Sequence, residues 1–139
     1  MGFNVFLDAN VVLDQMLKRK DYENTRKVFQ LIINGEILAY TSPSIIHILG
    51  YWLGKIYSKH ETRQRLLILL NDVRVLGLDH QITLQALHST IIDVEDALQY
   101  HTALYHSMDY FISSDKKLKT LESLALPVLT PTELVKYFK

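Results

Sequence analysis

Short apolar runs of strand length alternate with helix-period segments along the whole chain, and that alternation leaves few folds open. Residues 4–7 (NVFL), 37–40 (ILAY), 73–78 (VRVLGL), 110–112 and 128–129 read as strands. Between them, residues 25–33, 43 to about 58, 61–71, 82–88 and 94–106 read as helices, and a last helix opens at Thr130-Pro131 and runs to Lys139. In the segment from Pro43, Ile46, Leu49, Leu53 and Ile56 recur at three- and four-residue steps, with Ser42 placed as cap and Pro43 at the first helical position. Strands separated by helices pair in parallel through right-handed crossovers. Apolar rather than alternating strands fit a sheet covered on both faces. The expected fold is α/β: a three-layer α/β/α sandwich around a central, mostly parallel sheet of about five strands, one domain over 1–139.

Composition narrows the class further. Of 139 residues, 48% are hydrophobic and 22% charged, a globular profile. The absence of cysteine excludes a disulfide framework, thiolate catalysis and a zinc ribbon. Lys+Arg 15 balance Asp+Glu 15, so any polyanion must be met by a local patch rather than a global field. The apolar runs are too short to cross a bilayer, and no basic segment precedes an apolar one at the start of the chain. A cytoplasmic protein away from membranes is expected. The six histidines show no HxxxH or HExxH spacing, which argues against zinc.

In a parallel sheet the ligand site lies outside the carboxyl ends of the strands. Asp8 directly follows the first strand and Asp115 follows the fourth; Asp96 lies near the start of the helix leading into that fourth strand. Three carboxylates distant in sequence are thus expected at one rim. Crowded carboxylates repel unless a cation neutralises them, and hard oxygen ligands select Mg²⁺ or Mn²⁺. Plainer roles exist for each. Asp8 or Asn10 suits a helix cap, Asp93 three residues before Asp96 has the spacing of a capping pair, Glu95 is expected to point away from Asp96, and Asp115 before Lys116-Lys117 suits a turn.

Val5-Phe6-Leu7-Asp8-Ala9-Asn10-Val11-Val12-Leu13-Asp14 resembles the opening of a PIN domain, where a strand ends in Asp-x-Asn and runs into a helix. Glu95-Asp96-Ala97-Leu98-Gln99-Tyr100 resembles that family's acidic helix, and Asp109-Tyr110-Phe111-Ile112-Ser113-Ser114-Asp115 its later strand. Val128-Leu129-Thr130-Pro131 is similar to its last strand and closing helix. The resemblance implies a Mg²⁺/Mn²⁺-dependent endoribonuclease of the kind that serves as the toxin of a toxin–antitoxin pair, with RNA as substrate and an antitoxin protein as partner. Asp8, Asp96 and Asp115 would be catalytic metal ligands, and Asn10, Asp93 and Ser113 would support them. A homodimer is also expected, from the family's habit and the apolar surplus over 45–57. One departure stands out: the family's glutamate early in the helix after the second strand falls at about Ile48, and no Asp or Glu occurs between Glu36 and Glu61. His47 beside it could supply a nitrogen instead, or be an ordinary helix residue.

Lys116 and Lys117, with Lys119 and the Lys18-Arg19-Lys20 run, offer phosphate contacts. Tyr51, Trp52 and Tyr57 offer either base stacking or packing. Two other readings compete with the nuclease. One is a PIN-like domain that has lost catalysis and binds RNA or a partner protein. The other is a phosphatase of the haloacid dehalogenase type, against which Asn10 counts, since an amide cannot act as a general acid.

Overall fold

The structure, a computed structural model, describes residues 3–121, 123 and 125–138. Its centre is strand β1 (Phe3–Leu7), whose Val5, Phe6 and Leu7 are all fully buried. β1 pairs in parallel with β2 (Ile37–Thr41) on one side and β4 (Tyr110–Ile112) on the other. Beyond these lie β3 (Val73–Val75) and β5 (Val128–Leu129), also parallel, giving the order β3-β2-β1-β4-β5. Both outer strands are short, which keeps little open edge available for pairing with another chain.

Eight helices occur among the described residues: α1 (Ala9–Met16), α2 (Tyr22–Ile33), α3 (Pro43–Leu53), α4 (Lys59–Leu69), α5 (His80–His88), α6 (Val94–Tyr105), α7 (Lys116–Lys119) and α8 (Pro131–Lys136). The pleat sorts them into two layers. Phe6 and Phe111, partners in register, stack at 5.3 Å, and Tyr100 of α6 packs on Phe111 at 5.8 Å. On the opposite face, Phe3 meets Tyr110 and Phe138, while Tyr110 meets Tyr137 just past α8. α8 packs on α2, α2 on α1, and α1 on α3, whereas α5 packs on α6. The sheet is therefore sandwiched, as the alternation of elements implies.

Some boundaries differ from the sequence expectation. The helix expected to reach residue 58 stops at Leu53, because Ser58 caps a new helix by accepting the Glu61 N–H at 3.0 Å. The third strand ends at Val75 rather than 78, although Leu76 still donates to the Thr41 carbonyl at 2.8 Å. The last helix ends at Lys136, with Lys139 outside the described residues.

Candidate active site

Where β1, β2, β4 and β5 end, the chain turns at once into a helix, and a polar side chain closes each turn. The Asp8 carboxylate accepts the Ala9 N–H at 2.8 Å, Ser42 Oγ the Ile45 N–H at 3.3 Å, and Asp115 the Lys117 N–H at 2.9 Å. Thr130 forms a reciprocal capping box with Glu133, whose carboxyl is held below its ordinary range chiefly by the Thr130 N–H. α6 brings its own N-terminus to this cluster, with Asp93 accepting the Asp96 N–H at 2.9 Å. These termini gather at the carboxyl edge, where the strand order reverses between β1 and β4 and a crevice must open.

The crevice is a cleft of about 360 Å³. Asp8, Asp93, Glu95, Asp96 and Asp115 line it, together with Asn10 and Lys117, and Ala9, Leu13, Ile48 and Trp52 complete it. The three aspartates expected at one rim thus share one cavity. Asp8 is nearly enclosed, and its second oxygen accepts the Ser113 hydroxyl at 2.9 Å. Burial pushes its carboxyl up to about 6 from 3.8. The Ser113 and Ala9 hydrogen bonds work against that rise, and the charges of Asp96 and Glu95 add to it. Asp96 is also raised to about 6, first by burial, then by repulsion from Asp93, Asp115 and Glu95, with Lys117 as partial counterion. Ser113 links two of the strand ends, since its hydroxyl also accepts the Asp115 N–H at 3.0 Å.

The remaining candidates divide. Asn10 is exposed at the boundary between this cleft and a larger groove of about 690 Å³ that holds Arg19 and Lys20. Arg19 is fixed there by Asp14 at 2.9 Å and reaches the Asn10 amide oxygen at 3.4 Å. His47 is exposed and does not line the cleft, whereas its neighbour Ile48 does. Lys117 lines the cleft, but Lys116 faces a separate depression and Lys119 bonds the Val128 carbonyl and Glu133. Glu95 differs from expectation. In the first turn of a helix successive side chains lie only about 100° apart, and at this terminus both Glu95 and Asp96 reach the same rim. Of the three aromatics that offered either stacking or packing, Trp52 lines the cleft, one turn after Ile48, and Tyr51 and Tyr57 do not.

One buried contact spans the cleft's two supporting helices. Ser42 Oγ donates to Gln99 Oε1 at 2.6 Å, and Gln99 Nε2 donates to Ser44 Oγ at 2.8 Å. Gln99 belongs to α6 and is buried; the serines open α3.

The donor set suits a hard dication. It consists of carboxylate oxygens, two of them driven toward protonation by burial and mutual repulsion, which a cation relieves. Among the described residues no three His, Asp or Glu side chains form a cluster able to hold a metal ion by themselves. Mg²⁺ does not require one, since it keeps several waters and takes one or two carboxylates.

Comparison with known proteins agrees with this architecture. A family model described as PIN domain matches residues 4–117. No curated protein matches the chain. Among solved structures, VapBC2 from Rickettsia felis bound to a DNA fragment from its promoter aligns at TM-score 0.67 and 18% identity, over 91% of this chain and 98% of that one. A toxin–antitoxin complex from Klebsiella pneumoniae aligns at TM-score 0.66 and 16% identity, over 91% and 97%. At such identities these likenesses establish the fold.

Proposed function

The chain belongs to the PIN domain family, and on that footing we propose that it is a Mg²⁺- or Mn²⁺-dependent endoribonuclease, the toxin half of a toxin–antitoxin pair. One observation carries the reading. Asp8, Asp96 and Asp115, from separate elements, line a single cleft, and two of them are held well above the ordinary carboxylate range. Charge crowded in this way destabilises a protein unless the site has a cationic occupant.

These three aspartates would hold the ion, which when bound polarises a phosphate oxygen and lowers the pKa of water. Ser113 keeps the Asp8 carboxylate turned by its 2.9 Å hydrogen bond. Lys117, close enough to lower the Asp96 pKa, is placed to meet a phosphate. In hydrolysis a water oxygen bonds to phosphorus and loses a proton to solvent, while the bond to one ribose oxygen breaks and that oxygen is protonated. Ile48 and Trp52 supply the apolar part of the cleft's lining.

The partner reading rests on the described apolar surface. Tyr51, Ile56, Leu67 and Ile68 are each more than half exposed on or beside α3 and α4, a surplus suited to an amphipathic segment of an antitoxin or to a second copy. The two solved relatives are themselves toxin–antitoxin assemblies. A second functional reading, a PIN domain that binds RNA without cutting it, is favoured by Ile48 occupying the cleft where the family carries a glutamate. Cleavage of single-stranded RNA by the purified protein, assayed with EDTA, Mg²⁺ and Mn²⁺, separates them. Metal-dependent cleavage that vanishes in Asp8→Asn supports the nuclease; metal-independent binding without cleavage supports the other.

A further inference from the structure

The cleft has two chemically opposite sides. α6 and the strand ends supply carboxylates, while α3 supplies Ile48 and Trp52. These two residues stand four apart on one helix, so their side chains lie one above the other on a single face. Ile48 packs its inner side against the core, and Trp52 beyond it does not. α3 buries Ile45, Leu49 and Leu53, whereas Trp52 remains 44% exposed. Its indole is braced from outside by Tyr51, edge-on at 5.4 Å, and by the Lys55 ammonium 5.1 Å from the ring centroid. A large aromatic group held in place beside charged residues, yet unused by the core, is a contact surface waiting for a flat apolar ligand.

We propose that Ile48 and Trp52 form the seat for a nucleobase of the RNA strand, adjacent to the phosphate that the aspartates address. This rests on the ribonuclease reading and specifies how that site selects its strand. A nucleotide has the same division as the cleft, with an apolar face on the base and an anionic phosphate that only a cation or Lys117 can reconcile with the acidic side. The space, about 360 Å³, falls within the roughly 300–1,000 Å³ of small-ligand sites. Bases of single strands are commonly read by stacking on aromatic side chains, with neighbouring cations contributing. Ile48 then acquires a positive role: where a hydrated carboxylate would offer a base no apolar surface, a branched aliphatic side chain supports it.

Trp52 is the sole tryptophan of the chain, so its fluorescence reports on this seat alone. The full chain in EDTA is titrated with a labelled single-stranded RNA oligonucleotide and with an abasic strand of equal length, following tryptophan emission and label polarisation together. The expected result is quenching by the base-bearing strand and little by the abasic one. Polarisation should show Trp52→Ala weakening affinity about tenfold, Trp52→Phe restoring much of it, and Ile48→Glu weakening it again. A strand that binds by polarisation without changing the emission, or quenching that the abasic strand reproduces, overturns the seat while leaving the nuclease reading intact. Emission that shifts with protein concentration and is indifferent to RNA assigns Trp52 to a protein interface and overturns it too. Failure of any RNA to bind or be cut removes both readings together.

Discussion

Two aspartates flank the central β1–β4 pair from opposite ends, and they do opposite things. At the amino end, Asp109 is exposed; its carboxylate accepts the Asn4 N–H at 2.7 Å, and its own N–H donates to the Asn4 carbonyl at 2.7 Å. At the carboxyl end, the Asp8 N–H likewise continues the ladder, donating to the Ile112 carbonyl at 2.9 Å. Its side chain, however, is buried among other carboxylates and raised to about 6. The backbone task is the same at both ends. One end uses its carboxylate to close the sheet in contact with water, and the other keeps a carboxylate where it is electrostatically costly. An expense of that kind, confined to one end of the sheet, marks the site that function maintains.

The comparison breaks most readily on activity. Asp8→Asn, Asp96→Asn and Asp115→Asn are each expected to lower RNA cleavage on the order of a hundredfold or more, while Asp109→Asn leaves the rate of the parent; comparable losses at both ends would abolish the distinction.

Stability should respond with the reverse sign. A carboxyl at 3.8 when unfolded and about 6 when folded binds its proton more tightly in the native state. Its contribution to stability is therefore complete below pH 3.8 and is lost as pH rises through 6, in all about 3 kcal/mol. Urea unfolding in EDTA should show that decline for the parent and a flatter profile for Asp8→Asn, leaving the variant the more stable at pH 7. Mg²⁺ or Mn²⁺ should recover the difference in the parent alone, seen as a rise in Tm with ion concentration. At the other end Asp109→Ala, which strips a strand-end N–H of its acceptor, should cost about 1 kcal/mol with cleavage unaffected. Smallest of all is His47→Ala. Exposed and outside the cleft, His47 should alter neither ion affinity nor rate, and a parallel fall in both would make it a ligand after all.

The layout was legible in the sequence because each layer announces itself locally. VFL of the first strand is buried on both faces, ILAY buries Ile37 and Ala39 while Leu38 stays exposed, and the polar residue after each strand is also the cap of the next helix. The positions of Asp8, Asp96 and Asp115 followed from that punctuation. What stayed hidden depends on contacts between elements. Glu95 reads as pointing away from Asp96, because a helical wheel ignores how side chains spread at a first turn, yet both line the cleft. Lys119 read as a phosphate contact, but its partners Val128 and Glu133 lie on elements that come together only in the fold. Trp52 reads as a stacking or packing residue, and the choice of it over Tyr51 and Tyr57 lies within reach, since the family's glutamate position at Ile48 fixes the face of α3 and four residues on is the same face.

Gln99 gives the cleft a mechanical property. Its buried side chain is hooked to Ser42 and Ser44, so moving α3 against α6 strains two hydrogen bonds, the Ser42 one fully buried. The helix that carries Asp96 and the helix that carries Trp52 are thereby tied to each other across the cleft. In the nuclease proposed above, a spacing held in this way would select a strand by its thickness.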